Sequence, residues 1–153
     1  AFREHLSLWG GIPRRLPEWF TQRFPASYQA TQIFDDTLPK DFGLQPLPAG
    51  DPRVLVSVPE RAMLELLSDV GKAQSLTEAR ELIESLSGLR EKVLDKLLKH
   101  TTRIKVVRMA ATLASTMKLP WATLATKHSE RIGGGARWVA VGRSGERLDL
   151  RRP

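Results

Sequence analysis

The chain has 153 residues, about one domain's worth, and its 41% hydrophobic and 27% charged content is that of a globular fold, with one domain expected over residues 1–153. It has no cysteine and three histidines, His5, His100 and His128, which excludes disulfides, thiolate nucleophiles and cysteine-based zinc sites and leaves no metal or cofactor to expect. The net charge of +7 is concentrated: residues 100–153 hold eleven Lys and Arg against Glu130, Glu146 and Asp149, whereas the first 99 residues come to −1, an asymmetry that points to an acidic partner.

No apolar run approaches the roughly 18 residues of a membrane helix, and "AFREHLSLWGG" lacks the apolar core of a signal peptide, so a cytoplasmic protein without a membrane partner is expected. The chain opens at Ala1 and not at Met, which leaves room for an upstream module.

The first third is irregular. "HLSLWG", "SYQATQIF" and "RVLVSV" (53–58) alternate or are rich in β-branched residues, which predicts two or three strands, with a short helical turn at "LPEWF". Four helical patterns follow. The first opens at "SVPE", where Ser57 and Glu60 have the spacing of a capping box and Pro59 suits the first turn, and it presents Ala62, Met63, Leu66, Leu67 and Val70 on one face. "SLTE" repeats the device at Ser75 and Glu78 and leads into Leu76, Ala79, Leu82, Ile83 and Leu86 before Gly88 stops the helix. A third helix carries Val93, Leu94, Leu97 and Leu98. The fourth runs from about Thr102 to Lys118, ahead of Pro120, with Val106, Ala110, Leu113 and Met117 on one side and Lys105, Arg108 and Thr112 on the other. "WATLATKH" reads as an amphipathic turn or two, and "RWVAVG" with "RLDL" brackets "RSGE" as a closing hairpin. The fold class expected is therefore α+β, with Leu66, Leu67, Leu82, Leu94, Leu97, Leu98 and Leu113 in the core, short strands in the N-terminal third and a C-terminal hairpin. The strands are expected to group at one end.

Several motifs invite a chemical reading. "RIGGGARWVAVG" has three glycines, but a phosphate-cradling loop needs them ahead of a helix, and these precede a strand, so they read as a turn. "KDFG" (40–43) and "VPE" (58–60) echo protein-kinase motifs at too short a spacing, and no upstream segment supplies the remaining parts; Asp41 reads as a turn residue. Asp35 and Asp36, beside Thr37 and Pro39, read as a loop with a side-chain turn. His100 ends a helix, where its charge suits the dipole, and His128 extends the Trp121, Leu124, Ala125 stripe as a core histidine. No residues are arranged as a nucleophile with its base, so no catalytic residue is assigned and an enzyme is not expected.

The basic positions remain. Arg103, Lys105 and Arg108 lie within two helical turns, and Lys127, Arg131, Arg137, Arg143 and Arg147 follow with few acids between them. Such a surface suits phosphates or an acidic protein, and for this chain alone it implies weak, sequence-independent DNA binding. A basic nucleic-acid-binding or nucleotide-handling domain is the alternative reading.

The order of segments is also familiar. "LPEWF", "VLVSVPERAMLELLSDVG", the long "SLTEARELIESLSGLREKVLDKLLKHTTRIKVVRMAATLAS", "LPWATL" and "IGGGARWVAVGRSGERLDL" together resemble the C-terminal domain of AbiEi-type antitoxins over about residues 5–150. The match is strongest at Pro59, Glu60, Arg61, Lys105, Val106, Arg108, Trp121, Gly133, Gly135 and Arg137. The resemblance implies the antitoxin half of a type IV toxin–antitoxin system whose toxin is a nucleotidyltransferase-like protein. It also implies an N-terminal winged helix-turn-helix module that represses the operon, and this stretch of sequence does not contain one. Thr102 and Arg103 stand where relatives often carry Cys. On this resemblance, Lys105, Arg108 and Arg137 form the face that carries the antitoxin role.

Overall fold

The computed structural model describes residues 4–132 and the backbones of two later strands, Trp138–Val141 and Arg147–Leu150. The fold is mixed α+β, and the chain divides into two compact units, Ala1–Gln32 and Ile33–Pro153.

In the first unit, β1 (Leu6–Trp9) and β2 (Ala26–Gln29) pair in parallel, with Leu6 opposite Ala26 and Trp9 opposite Gln29. Parallel strands need a crossover. Here it contains α1 (Glu18–Arg23), which begins after Pro17 and is closed by the Phe24 amide on the Phe20 carbonyl. The unit is tied by Tyr28, whose hydroxyl donates to the Ile12 carbonyl at 2.6 Å.

The second unit opens with an antiparallel pair, β3 (Leu44–Pro46) and β4 (Leu55–Ser57). The "KDFG" stretch is the turn leading into it, as expected: Phe42 N–H donates to Pro39 O, Leu44 N–H to Asp41 O, and Gly43 takes a φ of +79°. Five helices follow, α2 (Pro59–Asp69), α3 (Leu76–Ser85), α4 (Glu91–His100), α5 (Ile104–Thr116) and α6 (Ala122–Ile132), then the antiparallel pair β5 (Trp138–Val141) and β6 (Arg147–Leu150). The strands thus form three separate two-stranded sheets.

The core of this unit is Met63, Leu64 and Leu67 of α2, Ala79 and Ile83 of α3, Leu94, Leu97 and Leu98 of α4, Ala125 of α6 and Val106, Val107, Met109, Ala110, Ala111, Leu113 and Ala114 of α5. Helix α5 packs against α2 and α6 and has the β5–β6 pair beside it, so it is enclosed on most sides. Of the expected core leucines, Leu67, Leu94, Leu97, Leu98 and Leu113 are buried, whereas Leu66 and Leu82 are half-exposed. On α2 the register differs from the expected stripe: Leu64 is buried and Ala62 is exposed, because Glu60 also turns inward. "WATLATKH" is the start of a full helix, α6, whose buried positions are held by small or polar residues, Ala125, His128 and Ser129.

The two capping motifs part ways. Ser75 Oγ accepts the Glu78 amide at 3.1 Å and caps α3 as the spacing predicts. At α2 the N-cap is Val58, and no side chain caps it. Ser57 Oγ donates instead to Glu65 Oε1, and Glu60 reaches across to α4.

Candidate partner-binding surface

The segment between β4 and α4 is fixed by two acids that a solvated helix would place outside. Glu60, 1% exposed, accepts three hydrogen bonds from Arg90: from its amide at 3.2 Å, Nε at 3.3 Å and Nη2 at 2.8 Å. Because Arg90 is the N-cap of α4, this one carboxylate joins the start of α2 to the start of α4. Glu65 is buried beside Ser57 and Arg61, and its desolvation outweighs both partners and pushes its carboxyl above the usual glutamate range. Arg61 pairs with Glu65 at 3.8 Å, the i,i+4 partner open to it in sequence, but it also donates to the Phe42 carbonyl at 2.8 Å and lies over the Phe34 ring. The family-like "PER" of Pro59, Glu60 and Arg61 is therefore structural.

Two histidines pair with carboxylates further along α4. His100 closes α4 and its Nδ1 lies 2.9 Å from Asp35 Oδ1, while Thr37 donates to that oxygen from both its amide (2.9 Å) and its hydroxyl (2.6 Å). The Thr37 bonds, with His100 behind them, hold the Asp35 carboxyl down at about 2. The expected side-chain turn at Asp35 is present and is extended by the histidine. His128, buried as expected, sits with Nε2 2.6 Å from Asp95 Oδ1. Arg131 can only donate, and its Nε lies 3.4 Å from His128 Nδ1, so Nδ1 accepts and Nε2 carries the proton to Asp95. The Arg131 Nη2 also reaches the Lys99 carbonyl at 3.3 Å, at the C-terminal end of α4.

Around this frame the basic residues fall into two clusters. Arg103, the exposed N-cap of α5, and Lys105 meet Lys72 of the α2–α3 link around a pocket of about 330 Å³, also lined by Ser68, Thr102, Ile104 and Val106. Lys105 donates to the Val70 carbonyl at 2.5 Å. Burial first, then the charges of Lys72 and Arg103, push its ammonium below the ordinary lysine value, with Asp69 opposing them. The second cluster is Lys127 and Arg131 of α6 with Lys99 of α4; Lys127 and Lys99 both add to the field that, after the His128 hydrogen bond, lowers the Asp95 carboxyl. Lys99 and Arg103 flank the short α4–α5 link, and α6 returns along α5, so both clusters face the same end of the helices.

Arg108 is in neither. The expectation that it shares an open face with Lys105 is overturned, since it is 1% exposed and enclosed with Val107, Met109 and Ala111 on the middle of α5. Its side of α5 is covered because α5 is the central helix, and a nearly continuous run of apolar residues on both sides of Arg108 is the signal in the sequence. Arg137, Arg143 and the glycine turn at Gly133–Gly135 lie outside the described residues, as does the side chain of Arg147 in β6. Lys72 and Lys99 were missed because each sits in the acid-balanced part of the chain and comes to the site only through the fold.

A family model described as transcriptional regulator, AbiEi antitoxin, type IV toxin–antitoxin system matches residues 3–150. No curated protein and no solved structure matches. No helix among the described residues is long and apolar enough to cross a membrane. With the family model matching nearly its whole length, the chain belongs to the AbiEi antitoxin family of type IV toxin–antitoxin transcriptional regulators.

Proposed function

We propose that this chain is the domain that neutralises a nucleotidyltransferase-like toxin in the cytoplasm, and that it supports repression of its own operon when joined to a DNA-binding module. The observation that carries the reading is the gathering of Arg103, Lys105 and Lys72 with Lys99, Lys127 and Arg131 at one end of the helical layer, in a chain of the antitoxin family. Arginine's planar fork pairs bidentately with carboxylates and phosphates, which suits either an acidic toxin surface or DNA. Arg137, Arg143 and Arg147 extend this basic set in sequence. The domain's DNA contacts are those of its charge alone: weak, sequence-independent and falling with salt at about −0.9 per phosphate neutralised.

The test reverses charge at Arg103→Glu and Lys127→Glu, both exposed, in the antitoxin joined to its DNA-binding module and co-expressed with the neighbouring toxin. Loss of growth rescue by a folded double variant is expected. Full rescue refutes the assignment of the antitoxin role to this end of the molecule.

A further inference from the structure

Residues 1–32 hold six of the chain's ten aromatic residues, yet none of the described residues among them is buried, and α1 has no buried position at all. The rings gather on α1. Trp19 exposes 68% of its surface and Phe24 39%, with Phe20 half-buried between them, its ring centroid 5.8 Å from that of Trp19 and 5.2 Å from that of Phe24. Pro13 and Pro17 before the helix and Pro25 after it restrict the backbone, and the Phe24 amide on the Phe20 carbonyl at 2.8 Å closes the turn. The rings are therefore held in position without a core beneath them.

The same stretch is basic. Arg14, Arg15 and Arg23 are exposed, and none forms an ion pair among the described residues. Glu18, the one acid between Ile12 and Phe24, accepts from the Gln22 side-chain amide at 3.2 Å instead. The Arg23 guanidinium lies over the Phe24 ring, 5.7 Å from its centroid. Exposed rings interleaved with guanidiniums that have no carboxylate complement a run of phosphates carrying flat bases. A duplex keeps its base faces inside the stack, which leaves an exposed ring nothing to stack on. A stable protein interface buries about 800 Å² per partner around a centre depleted of charge, and two exposed rings among three guanidiniums make too small and too charged a centre for one.

We propose that the α1 face formed by Arg14, Arg15, Trp19, Arg23 and Phe24 binds an unpaired nucleic-acid strand, with bases stacking on Trp19 and Phe24 and phosphates on the guanidiniums. This goes beyond the antitoxin reading, which rests on the basic end of the second unit, and stands without it.

The test is fluorescence anisotropy of a labelled strand of about twelve thymidines with the full chain, repeated in the Arg103→Glu, Lys127→Glu variant, which removes charge from that other end. In both proteins the strand should bind, and in the variant it should bind more tightly than a duplex of the same length. Trp19→Ala should weaken strand binding about tenfold or more, the loss of one stacked base, while Trp19→Tyr keeps a ring and retains most of the affinity. Arg14→Gln, Arg15→Gln and Arg23→Gln should each make the salt dependence shallower by about 0.7, the value of one phosphate on a single strand. These side chains are exposed, so the variants should melt near the wild-type temperature. A uridine strand of the same length, with the same phosphates and flat bases, should compete. Full strand binding by Trp19→Ala, or a duplex bound as tightly as the strand in the Arg103→Glu, Lys127→Glu variant, overturns the proposal. So does an absence of strand binding combined with self-association that Trp19→Ala abolishes in sedimentation, which would assign this face to a second copy of the chain.

Discussion

Glu60 gives the most exacting test of how the helical layer is held. Truncation to Ala removes the acceptor of the Arg90 amide, which is the open N-cap of α4, and of two guanidinium bonds. The amide bond contributes about 1 kcal/mol, as hydrogen bonds and helix caps do. The Arg90 head is largely in water, so solvent screening keeps the contribution of its two bonds small. The lost methylenes and the cavity they leave add about 1 to 2 kcal/mol. Relief of the carboxylate's desolvation offsets part of this, leaving about 2 to 3 kcal/mol of destabilisation for Glu60→Ala. Glu60→Gln keeps the volume and one carbonyl for the amide, and should cost about 1 kcal/mol. Urea unfolding of both variants checks the order, with exposed Glu81→Ala as the neutral reference. Equal losses for Gln and Ala would show that only volume matters at this position, and a Glu60→Ala loss below about 0.5 kcal/mol, the range of ordinary surface changes, would refute the lock itself.

Arg108→Ala should destabilise by about 3 kcal/mol or more, as loss of a large buried charged side chain does, with Arg108→Met recovering part of it in the same urea titration; a surface-like effect would return Arg108 to the basic face. Asp35 titrates below its ordinary value of 3.8, at about 2, so its stabilising contribution is complete above the higher figure and is lost as pH falls through the lower one. Asp35→Asn should therefore flatten the fall in melting temperature between about pH 4 and pH 2. Gly43→Ala should cost about 1 to 2 kcal/mol, because φ is +79° and an added Cβ would stand 3.1 Å from Arg61 Cδ, and a melting temperature equal to wild type would contradict this.

Local signals carried well from residues to structure. The Ser75 cap, the α4 stripe and the closing strand pair all depend on spacing within a few residues, and all are found. What failed depended on distant neighbours. Ser57 and Glu60 have capping-box spacing, yet each found a stronger partner, Ser57 in Glu65 and Glu60 in Arg90 thirty residues away. Helix α6 reads weakly because its buried face is Ala125, His128 and Ser129, and β3 because Pro46 occupies a strand of three residues. The basic end was half legible: Arg103, Lys105, Lys127 and Arg131 stand out by local charge, while Ser68, Lys72 and Lys99 join them only when α2 and α4 are packed.

The link between α4 and α5 has a kinetic consequence. Thr102 N–H donates to Ile33 O and Asp35 N–H to His100 O, both at 2.8 Å, with Phe34 bridging Thr101 between them. This short ladder joins positions more than sixty residues apart and encloses β3, β4, α2, α3 and α4 in one loop. Closing so long a loop loses chain entropy before its few bonds can form, whereas α5 and α6 are sequence neighbours and meet early. The ladder should therefore be absent at the folding barrier. Thr37→Ala, which loosens the Asp35 turn beside it, is expected to accelerate unfolding and leave the refolding rate nearly unchanged, making this ladder the first part of the second unit to open and the last to close.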